Sequence, residues 1–552
     1  MRSRSETIAS IKRTNFDLCV IGGGATGAGC ALDAQLRGLR TLLLDAGDFA
    51  AATSSASTKL VHGGVRYLQQ AVRECDISQY RVVKRALHER KLMLENAPYL
   101  ARPLELLVPC FSRRDLYYFR AGMKLYDWLS GRSLLFPSRY LSVEESRKRL
   151  PRLNPAGLRG IVCFADGQFD DARYGIGLVK TFAEIGGLTL NHARVVGFEK
   201  AQNGKLAAVQ IRDQLSQECF TVPAAVFLNA TGPFSDQIRE LANPGVPKRL
   251  RLSKGIHILL PLDGFAADAL LIPKTVDGRV IFAIPWQGRL LVGTTEDEAT
   301  LDDQLIVKPE EIDYLLRHLN PYLAQPYKAD QVVSAMAGLR PLVSSGDTRN
   351  TQSLIRDSEV EMNRNSGLIS ILGGKWTTYR AMAEDGVNAV QKYLGLPVSR
   401  CITQRYRLTG SPGYTPSLWQ SLASQFHVSP ETAQHLTRKF GADASLILEL
   451  AKQDRSLAAP LTEDYPAIHA EIVYAIRYEM AASIEDVLAR RIGLQWFSWK
   501  SAMAAAPVVG AYFQREHGWT PAQSQQAIRE YTAKLEPMLA RSRPISEPSL
   551  AG

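Results

Sequence analysis

Residues 17–68 read DLCVIGGGATGAGCALDAQLRGLRTLLLDAGDFAAATSSASTKLVHGGVRYL, and the first half of this stretch decides the fold. Residues 18–21 are an apolar run, as expected for a central parallel strand that is buried on both faces. Gly22, Gly24 and Gly27 follow in G-x-G-x-x-G spacing. This spacing allows a tight turn, a close approach of the backbone to a pyrophosphate, and close packing of the following helix. The pattern therefore predicts a phosphate-binding turn at the end of a strand.

The residues after the glycines complete a dinucleotide-binding unit. We predict a helix over residues 25–37, whose first residues, Ala25 and Thr26, direct free N–H groups at the phosphates. A second strand is expected over residues 41–44, with Asp45 at its tip, where a carboxylate accepts hydrogen bonds from an adenosine ribose. NAD and FAD share this fingerprint, so the fingerprint alone does not choose between them.

The second half of the stretch distinguishes the two cofactors. Residues 52–64, ATSSASTKLVHGG, are rich in small hydroxyl residues and glycine and are soon followed by Arg66 and Tyr67. With the glycine turn, this segment resembles the FAD-dependent glycerol-3-phosphate dehydrogenases, the quinone-reducing membrane flavoenzymes, which carry a TSS…SSKL-HGG-RYL segment along the flavin. Asp45 stands where glutamate is more usual, and Thr58 where serine is. The resemblance implies non-covalently bound FAD, with contacts in this segment from Thr53, Ser54, Ser57, Lys59, Leu60, His62, Gly63 and Gly64.

Two later segments resemble further FAD contacts of the family. Residues 224–228 are apolar and lead into NATGPFSD, where glycine again allows a close approach of the backbone. Residues 368–372 form a last buried strand before GGKWTTYR, which in the family returns to the flavin ring. The resemblance assigns cofactor contacts in these segments and in AGLRPL (residues 337–342) to Ala230, Gly232, Gly338, Gly374, Lys375 and Thr377.

Three arginines resemble the substrate-binding residues of the family. Arginine suits a remote phosphate because its planar guanidinium pairs bidentately with phosphate oxygens. The resemblance assigns Arg66, Arg340 and Arg356 to the substrate phosphate, and Tyr67 to a hydrogen bond nearby. Considered singly, each arginine is more often part of a surface ion pair.

Oxidation of a secondary alcohol by a flavin also needs an acceptor for the hydroxyl proton. His257, in a KGIHI string similar to the family's KGSHI-type segment, is the best candidate because imidazole titrates near neutrality. Without that context, a histidine between Ile256 and Ile258 is more often structural. Lys375 is expected near the flavin, where its charge stabilises the reduced ring.

Composition limits the other function classes. The 552 residues are 45% hydrophobic and 22% charged, as in globular proteins, and carry a net charge of +11. Such a charge attracts nucleic acid, an anionic membrane or a phosphorylated substrate, or serves solubility alone. No RNA-binding or helix-turn-helix signature is present, so no nucleic-acid partner is expected. The seven cysteines form no C-x-x-C pair, so neither a disulfide framework nor a metal site is predicted.

The predicted fold class is α/β, with a Rossmann-like FAD-binding domain interleaved with a mixed β-sheet substrate or cap domain, and an all-helical C-terminal domain. Residues 1–15 are predicted to be a disordered lead-in and residues 16–396 the oxidoreductase module. Within the module, FAD segments are expected at 16–68, 161–247 and 367–396, and cap segments at 69–160 and 248–366. A linker is expected over 397–416 and the helical domain over 417–552.

Residues 111–140 interleave basic and aromatic side chains, among them Tyr117, Tyr118 and Trp128. This pattern suits a helix that lies in a lipid headgroup layer, and equally a core helix with a solvated basic face. No run of 18 apolar residues predicts a spanning helix. Because the family attaches peripherally to membranes, we expect a cytoplasmic protein bound to the inner face of the cytoplasmic membrane.

The resemblance implies oxidation of sn-glycerol 3-phosphate to dihydroxyacetone phosphate, with hydride transfer to FAD and electron delivery to a membrane quinone. An oxidase that uses oxygen, or a relative that acts on another hydroxy acid or amine, is the alternative within the same chemistry. An RNA-modifying flavoprotein and a non-catalytic scaffold are alternatives of other classes. Family members also suggest a homodimer.

Overall fold

The computed structural model describes residues 4–65, 68, 77–265, 268–302, 305–344 and 358–541. In this part of the chain the strands are β1 (Phe16–Ile21), β2 (Thr41–Leu44), β3 (Leu60–Val61), β4 (Ala101–Cys110), β5 (Arg139–Leu141), β6 (Gly160–Phe169), β7 (Leu188–Leu190), β8 (Ala193–Lys200), β9 (Leu206–Asp213), β10 (Cys219–Asn229), β11 (Leu250–Pro261), β12 (Ala269–Ile272), β13 (Ile281–Trp286), β14 (Arg289–Gly293), β15 (Asp297–Ala299), β16 (Ser334–Val343), β17 (Ser358–Met362), β18 (Ile369–Gly373), β19 (Pro460–Thr462) and β20 (Tyr465–Ile468).

The helices alternate with these strands at first and dominate after β18. The α-helices in the described residues are α1 (Arg4–Arg13), α2 (Ala25–Leu36), α3 (Ile77–Asn96), α4 (Arg113–Ser130), α5 (Val143–Arg149), α6 (Asp171–Glu184), α7 (Ser235–Ala242), α8 (Pro309–Leu319), α9 (Tyr379–Tyr393), α10 (Leu418–Phe426), α11 (Pro430–Phe440), α12 (Ala444–Gln453), α13 (His469–Tyr478), α14 (Leu494–Phe497), α15 (Trp499–His517) and α16 (Pro521–Arg541).

The first sheet has the order β17-β18-β10-β1-β2-β7, and β1 pairs in parallel with both β10 and β2. Helix α2 packs against α6 and α9 on this sheet. It consists largely of small residues because its neighbours lie very close: a Cβ added to Gly29 would lie 2.9 Å from the Tyr379 ring. Such packing lets both faces of a parallel sheet be covered. The predicted helix and strand around the glycine turn are thus present, and the predicted Rossmann-like arrangement is confirmed.

The second sheet is mixed, with the order β15-β11-β14-β13-β12-β4-β6-β3. Its longest strand, β11, pairs antiparallel with β14, β15 and β16, whereas β12 and β4 run in parallel. Helices α3 and α4 cover one face of this sheet through a buried apolar cluster that includes Leu87, Met123 and Phe164. Strands from both predicted cap segments lie in this sheet, β4 and β5 from the first and β11–β16 from the second, together with β3 and β6 from the predicted FAD segments. Strand β17 also falls in the second predicted cap segment, but it pairs with β18 in the first sheet.

The C-terminal region is helical, as predicted, except for a small hairpin formed by β19 and β20. Its apolar core is continuous with that of the mixed sheet, because Ile256 and Ile258 of β11 share a buried cluster with Val487 and Trp499. The apolar residues of these helices therefore pack on the oxidoreductase module as well as on one another. Residues 542–552 of the predicted domain lie outside the described residues.

The expectation of a disordered lead-in is corrected for residues 4–13, which form α1. Ile11 of this helix is fully buried, and the Arg4 guanidinium pairs with the Asp213 carboxylate at 2.7 Å. These are tertiary contacts, which a short basic segment does not reveal in its own pattern. The predicted linker is also packed: the Leu408 N–H donates to the Asn96 carbonyl at 2.9 Å, and Leu408 is buried.

Candidate active site

A cavity of about 1330 Å³ collects most of the predicted site residues. Its wall is built from the glycine turn after β1, residues 51–58, the end of β10, the β11–β16 pair and the turn after β18. Pockets for drug-sized ligands usually measure about 300–1,000 Å³. The cavity is therefore large enough for a dinucleotide with a small substrate beside it.

The glycine turn leaves no space for side chains. Gly22 has a φ of +106°, and a Cβ added to Gly27 would lie 1.7 Å from the Gly22 carbonyl oxygen. A Cβ added to Gly24 would lie 2.8 Å from the Ser54 hydroxyl, which accepts the Ala25 N–H at 3.0 Å. Gly22, Gly24, Ala25 and Thr26 line the cavity, whereas Gly27 lies behind it. The backbone at the start of α2 can thus approach an anion closely.

Asp45 lies at the cavity wall with its carboxylate held by the turn around it. The Gly23 N–H donates to Asp45 Oδ2 at 2.6 Å and the Gly47 N–H donates to Oδ1 at 2.8 Å. Burial raises the pKa of Asp45 to about 6, although these two hydrogen bonds oppose the rise. The carboxylate is therefore fixed in position and ionised above that pH, as an acceptor of ribose hydroxyls requires.

The hydroxyl-rich segment is ordered from behind by a buried ion pair. The Lys59 ammonium donates to the Ser55 carbonyl at 2.7 Å and pairs with Asp171 at 2.5 Å, and both side chains are fully buried. The same carboxylate accepts the Ser57 hydroxyl at 2.7 Å. Lys59 does not line the cavity, so the expected direct cofactor contact from this side chain is replaced by support of residues 55–57.

Gly63 also lies behind the wall, in contact with a polar network that the sequence analysis did not identify. The Gly63 N–H donates to the Tyr126 hydroxyl at 2.9 Å, and that hydroxyl donates to Asp166 at 2.9 Å. Arg90 donates to the same Asp166 oxygen at 2.6 Å. Asp166 lines the cavity. This network fixes the HGG backbone from the side of helices α3 and α4.

His257 is buried in β11 and faces the cavity between two partners. Its Nε2 lies 2.9 Å from the Thr58 hydroxyl, and its ring packs on Gly293, where an added Cβ would lie 2.1 Å from Cδ2. Burial lowers the pKa of His257 to about 3, assisted by the positive charges of Arg340 and Lys59. The imidazole is therefore neutral near pH 7, and in the substrate-free protein it is a weaker proton acceptor than the expected titration near neutrality implied.

Arg340 lies on β16 opposite Ser253 of β11, and its side chain extends over Gly255 toward His257. A Cβ added to Gly255 would lie 2.2 Å from the Arg340 guanidinium, so only glycine leaves room for this side chain. The guanidinium donates to the Thr294 hydroxyl at 2.7 Å and the Thr295 carbonyl at 3.2 Å. Arg340 thus presents a held positive charge at the cavity wall, next to a neutral imidazole.

The turn after β18 brings Lys375 to the same wall. Gly374 has a φ of +93°, and an added Cβ there would lie 2.2 Å from Met382. The Trp376 ring N–H donates to the Ser54 carbonyl at 2.9 Å, which ties this turn to the hydroxyl-rich segment. Three segments that are remote in sequence therefore meet around one cavity.

Most predicted site residues share this wall. Those that line it are Gly22, Gly24, Ala25, Thr26, Asp45, Thr53, Ser54, Ser57, Leu60, His62, Gly64, Ala230, Gly232, His257, Gly338, Arg340, Gly374, Lys375 and Thr377. Gly27, Lys59 and Gly63 lie behind it, and Arg66, Tyr67 and Arg356 lie outside the described residues. Thr294 and Thr295 were not predicted as partners of Arg340. The hydroxyl-rich GTTE string at residues 293–296, which contains them, is the signal that could have indicated them.

One part of the cavity is apolar. His257, Gly293, Phe282 and Leu271 are successive cross-strand neighbours on β11, β14, β13 and β12. Leu106, Phe164 and Phe119 of α4 line the cavity further along this side. An apolar wall therefore leads from His257 to helix α4.

Helix α4 has a buried apolar face and an exposed aromatic face. Tyr126 and Met123 are buried against the mixed sheet, whereas Tyr117, Tyr118 and Trp128 are 68%, 51% and 73% exposed. Basic side chains flank these rings, and the Arg120 guanidinium lies 5.6 Å from the Tyr140 ring centre. Within the described residues, no helix has both the length and the apolar composition needed to cross a membrane.

The hydrogen-bonding groups around this cavity fit FAD. The glycine turn offers backbone N–H groups to a pyrophosphate, and Asp45 offers an acceptor to a ribose. Gly338 packs on Ala56, where an added Cβ would lie 2.9 Å from the Ala56 Cβ, so glycine here lets β16 pack closely on the hydroxyl-rich segment at the cavity wall. These residues fit the pyrophosphate and the ribose of a flavin dinucleotide.

Comparisons with known proteins agree with this geometry. The family model "FAD dependent oxidoreductase" matches residues 17–380, and "C-terminal domain of alpha-glycerophosphate oxidase" matches residues 401–524. The chain is 38% identical over 554 residues to the mitochondrial glycerol-3-phosphate dehydrogenase SDP6 of Arabidopsis thaliana, which covers 96% of this chain and 88% of that protein. It is 38% identical over 541 residues to the human mitochondrial glycerol-3-phosphate dehydrogenase, which covers 95% of this chain and 74% of that protein.

Solved structures show the same relationship. The glycerol-3-phosphate dehydrogenase of Bacillus halodurans complexed with FAD superposes with a TM-score of 0.79 and 29% identity, and covers 99% of each chain. L-alpha-glycerophosphate oxidase of Mycoplasma pneumoniae superposes with a TM-score of 0.53 and 15% identity over 71% of this chain and 98% of the other, which supports the fold alone.

Proposed function

Because the chain belongs to the family of FAD-dependent glycerol-3-phosphate dehydrogenases, we propose that it oxidises sn-glycerol 3-phosphate to dihydroxyacetone phosphate. One observation supports the proposal: the Arg340 guanidinium lies over Gly255 of β11, two residues before His257 on the same strand, and both side chains line the cavity that holds the dinucleotide fingerprint. We infer from this arrangement that a proton acceptor and a phosphate-binding charge lie next to the predicted flavin site.

Bound FAD supplies the hydride acceptor for this reaction. Arg340 pairs with the substrate phosphate and fixes the position of the carbon that carries the hydroxyl. His257 takes the hydroxyl proton as the carbon–hydrogen bond breaks, and Thr58 holds the ring by its contact with Nε2. Lys375 contributes positive charge beside the reduced ring. We assign Arg66, Tyr67 and Arg356 to the same substrate site.

Substrate binding also strengthens the base. The positive charge of Arg340 is one cause of the low pKa of His257 in the substrate-free protein. A phosphate dianion against this guanidinium offsets that charge, because opposite charges a few ångström apart interact strongly in a buried site. The pKa of His257 therefore rises when the substrate binds, and the imidazole becomes a better proton acceptor.

We assign the electron acceptor to a membrane quinone, on the basis of the apolar wall that leads from His257 to Phe119 of α4. The exposed rings and basic residues of α4 suit an anionic lipid surface at the inner face of the cytoplasmic membrane.

A homodimer stays a prediction from the family. The domain limits predicted at 396 and 417 are our proposal for where the module and helical domain meet.

The substrate is tested by anaerobic bleaching of the flavin absorbance with sn-glycerol 3-phosphate, with unphosphorylated glycerol in parallel. Bleaching by the phosphate ester alone supports the proposal, and a yellow protein that ignores both compounds refutes the substrate. Reoxidation by a short-chain quinone in excess of that by oxygen supports the acceptor.

The membrane surface is tested by vesicle sedimentation. Trp128→Ser should weaken binding to anionic vesicles several-fold, whereas the control Leu446→Ser, at another exposed apolar side chain, should not. Equal binding by the unsubstituted protein and both variants would exclude α4 as the membrane contact.

A further inference from the structure

Three residues beyond Asp45, the chain carries a buried carboxylate that two arginines of the C-terminal region hold. Asp48 accepts Arg490 Nε at 2.5 Å and Arg491 Nη2 at 2.9 Å, and a second bond from Arg491 reaches the other carboxylate oxygen. Arg491 is fully buried, Asp48 is 2% exposed and Arg490 7%. Both arginines belong to the DVLARR turn, Asp486–Arg491, which the catalytic arrangement does not use.

The arginines are themselves positioned by further buried groups. Arg490 donates to Asp486 at 2.6 Å, and Asp486 lies 2.9 Å from His192 Nε2. Arg491 donates to the Glu479 carbonyl at 2.6 Å. The planar guanidinium loses little freedom when several bonds hold it, so this cluster is rigid.

Asp48, His192 and Asp486 lie close enough together to bind a divalent cation. Both carboxylates, however, already take guanidinium groups, so their charge is balanced by arginine. The arrangement is that of a clamp between two parts of the chain, and no metal is needed to explain it.

The clamp acts on the turn that presents Asp45 to the cavity. The Ala193 N–H donates to the Asp45 carbonyl at 2.7 Å, and the His192 N–H donates to the Gly47 carbonyl at 2.6 Å. Asp45 and Gly47 line the cavity, as do residues 193–195. Asp48 ends this turn, so its position controls where the Asp45 carboxylate lies.

The clamp also affects charge at the cofactor site. The negative charge of Asp48 is one of the causes that raise the pKa of Asp45, although burial is the largest. Arg490 and Arg491 pair with the Asp48 carboxylate and balance its charge. Loss of either arginine would leave the Asp48 charge less balanced and would favour the protonated form of Asp45, a poorer acceptor of ribose hydroxyls, whereas Asp48→Asn removes that charge and tests the positioning alone.

We propose that Arg490 and Arg491 are positioning residues for FAD, which hold the adenosine end of its site through Asp48. The C-terminal region is then part of the cofactor site without contacting the cofactor. The proposal depends on FAD and on the ribose role of Asp45, and it is independent of the substrate and of the electron acceptor.

The test uses the full chain, stripped of flavin and titrated separately with FAD and with FMN, which lacks the adenosine. Asp48→Asn and Arg491→Met should each weaken FAD binding at least tenfold and leave the affinity for FMN within twofold of the unsubstituted protein. Arg477→Met is the matched control, because Arg477 pairs with Glu516 at the surface of the same region. It should change neither affinity.

A merely structural role would weaken both flavins together, since a loosened fold does not distinguish them. Equal losses for FAD and FMN in Asp48→Asn, the nearly isosteric variant, would therefore overturn the proposal. Unchanged FAD affinity in both variants would overturn it as well. Because bleaching by sn-glycerol 3-phosphate is measured separately, failure here leaves the proposed reaction standing.

Discussion

Arg340→Met should remove the main phosphate contact of the substrate while leaving FAD bound. The guanidinium lies over Gly255 and is held by Thr294 and Thr295, so the methionine chain can occupy the same space without its charge. Thr295 is buried and Thr294 partly buried, but both keep other polar neighbours, and the strand pairing of β11 with β16 is unaffected. The change is therefore confined to the substrate end of the cavity.

The magnitude follows from the two bonds that a guanidinium makes with a phosphate. A charge-assisted hydrogen bond contributes about 1.5–3 kcal/mol, so a bidentate pair contributes about 3–6 kcal/mol. Each 1.4 kcal/mol is about tenfold, which predicts a fall in kcat/KM of about 10²–10⁴. Most of the fall should appear in KM, because the phosphate is remote from the reacting carbon.

The assay is steady-state reduction of an artificial dye by sn-glycerol 3-phosphate, with the flavin content of each protein measured from its absorbance. Arg251→Met is the control, since Arg251 lies on the neighbouring strand β11 but pairs with Glu298 at the surface. A kcat/KM within threefold of the unsubstituted enzyme would refute the role of Arg340, and so would loss of FAD from the Arg340 variant alone.

Three further predictions follow from the site. Asp45→Asn should weaken FAD binding at least tenfold. The pKa of Asp45 is about 6 in the folded protein and ordinarily 3.8, so the Asp45 contribution to the stability of the flavin-free protein is full below pH 3.8 and is lost as the pH rises through 6. Thermal unfolding of the variant should therefore lack this dependence on pH. His257→Gln should lower kcat about 10²–10⁴-fold with FAD retained. The pKa of His257 falls from 6.5 to about 3 on folding, so the buried neutral imidazole lowers the stability of the protein increasingly as the pH drops from 6.5 to 3. Acid unfolding should therefore show a smaller loss of stability for the variant than for the unsubstituted protein. Tyr126→Phe leaves the Gly63 N–H and Asp166 without that hydroxyl and should destabilise the protein by about 1–3 kcal/mol in urea unfolding, while Tyr117→Phe, at an exposed ring, should have no effect.

Local patterns explain why the cofactor half of the fold was predictable. A buried strand, the glycine turn and an acid at the next strand tip act within one short segment, so their spacing carries the information. Predicted strands at 18–21 and 41–44 correspond to β1 and β2, and the helix after Gly24 begins at Ala25. The FAD cofactor and the α/β class followed from these patterns together with the family resemblance.

Interactions between distant residues explain what was not predictable. Lys59 stands in a flavin-contacting string, yet its partner Asp171 lies 112 residues away and draws it behind the wall. Residues 4–13 look like a polar tail, but Arg4 pairs with Asp213 and the segment becomes a helix. The pairing energy in both cases depends on a partner that no local window contains.

The sequence by itself determined the dinucleotide turn and the order of the segments, because these depend on short spacings. The resemblance to the family, and not the spacing, implied the flavin and the residues proposed for a phosphorylated alcohol. Only the tertiary structure decided that Thr58 holds His257, that Thr294 and Thr295 hold Arg340, and that Arg490 and Arg491 clamp Asp48. Burial and charge act through space, and the partners that lie within 3 Å of each other in the Thr58–His257, Thr294–Arg340 and Asp48–Arg490 contacts are 199, 46 and 442 residues apart in the chain.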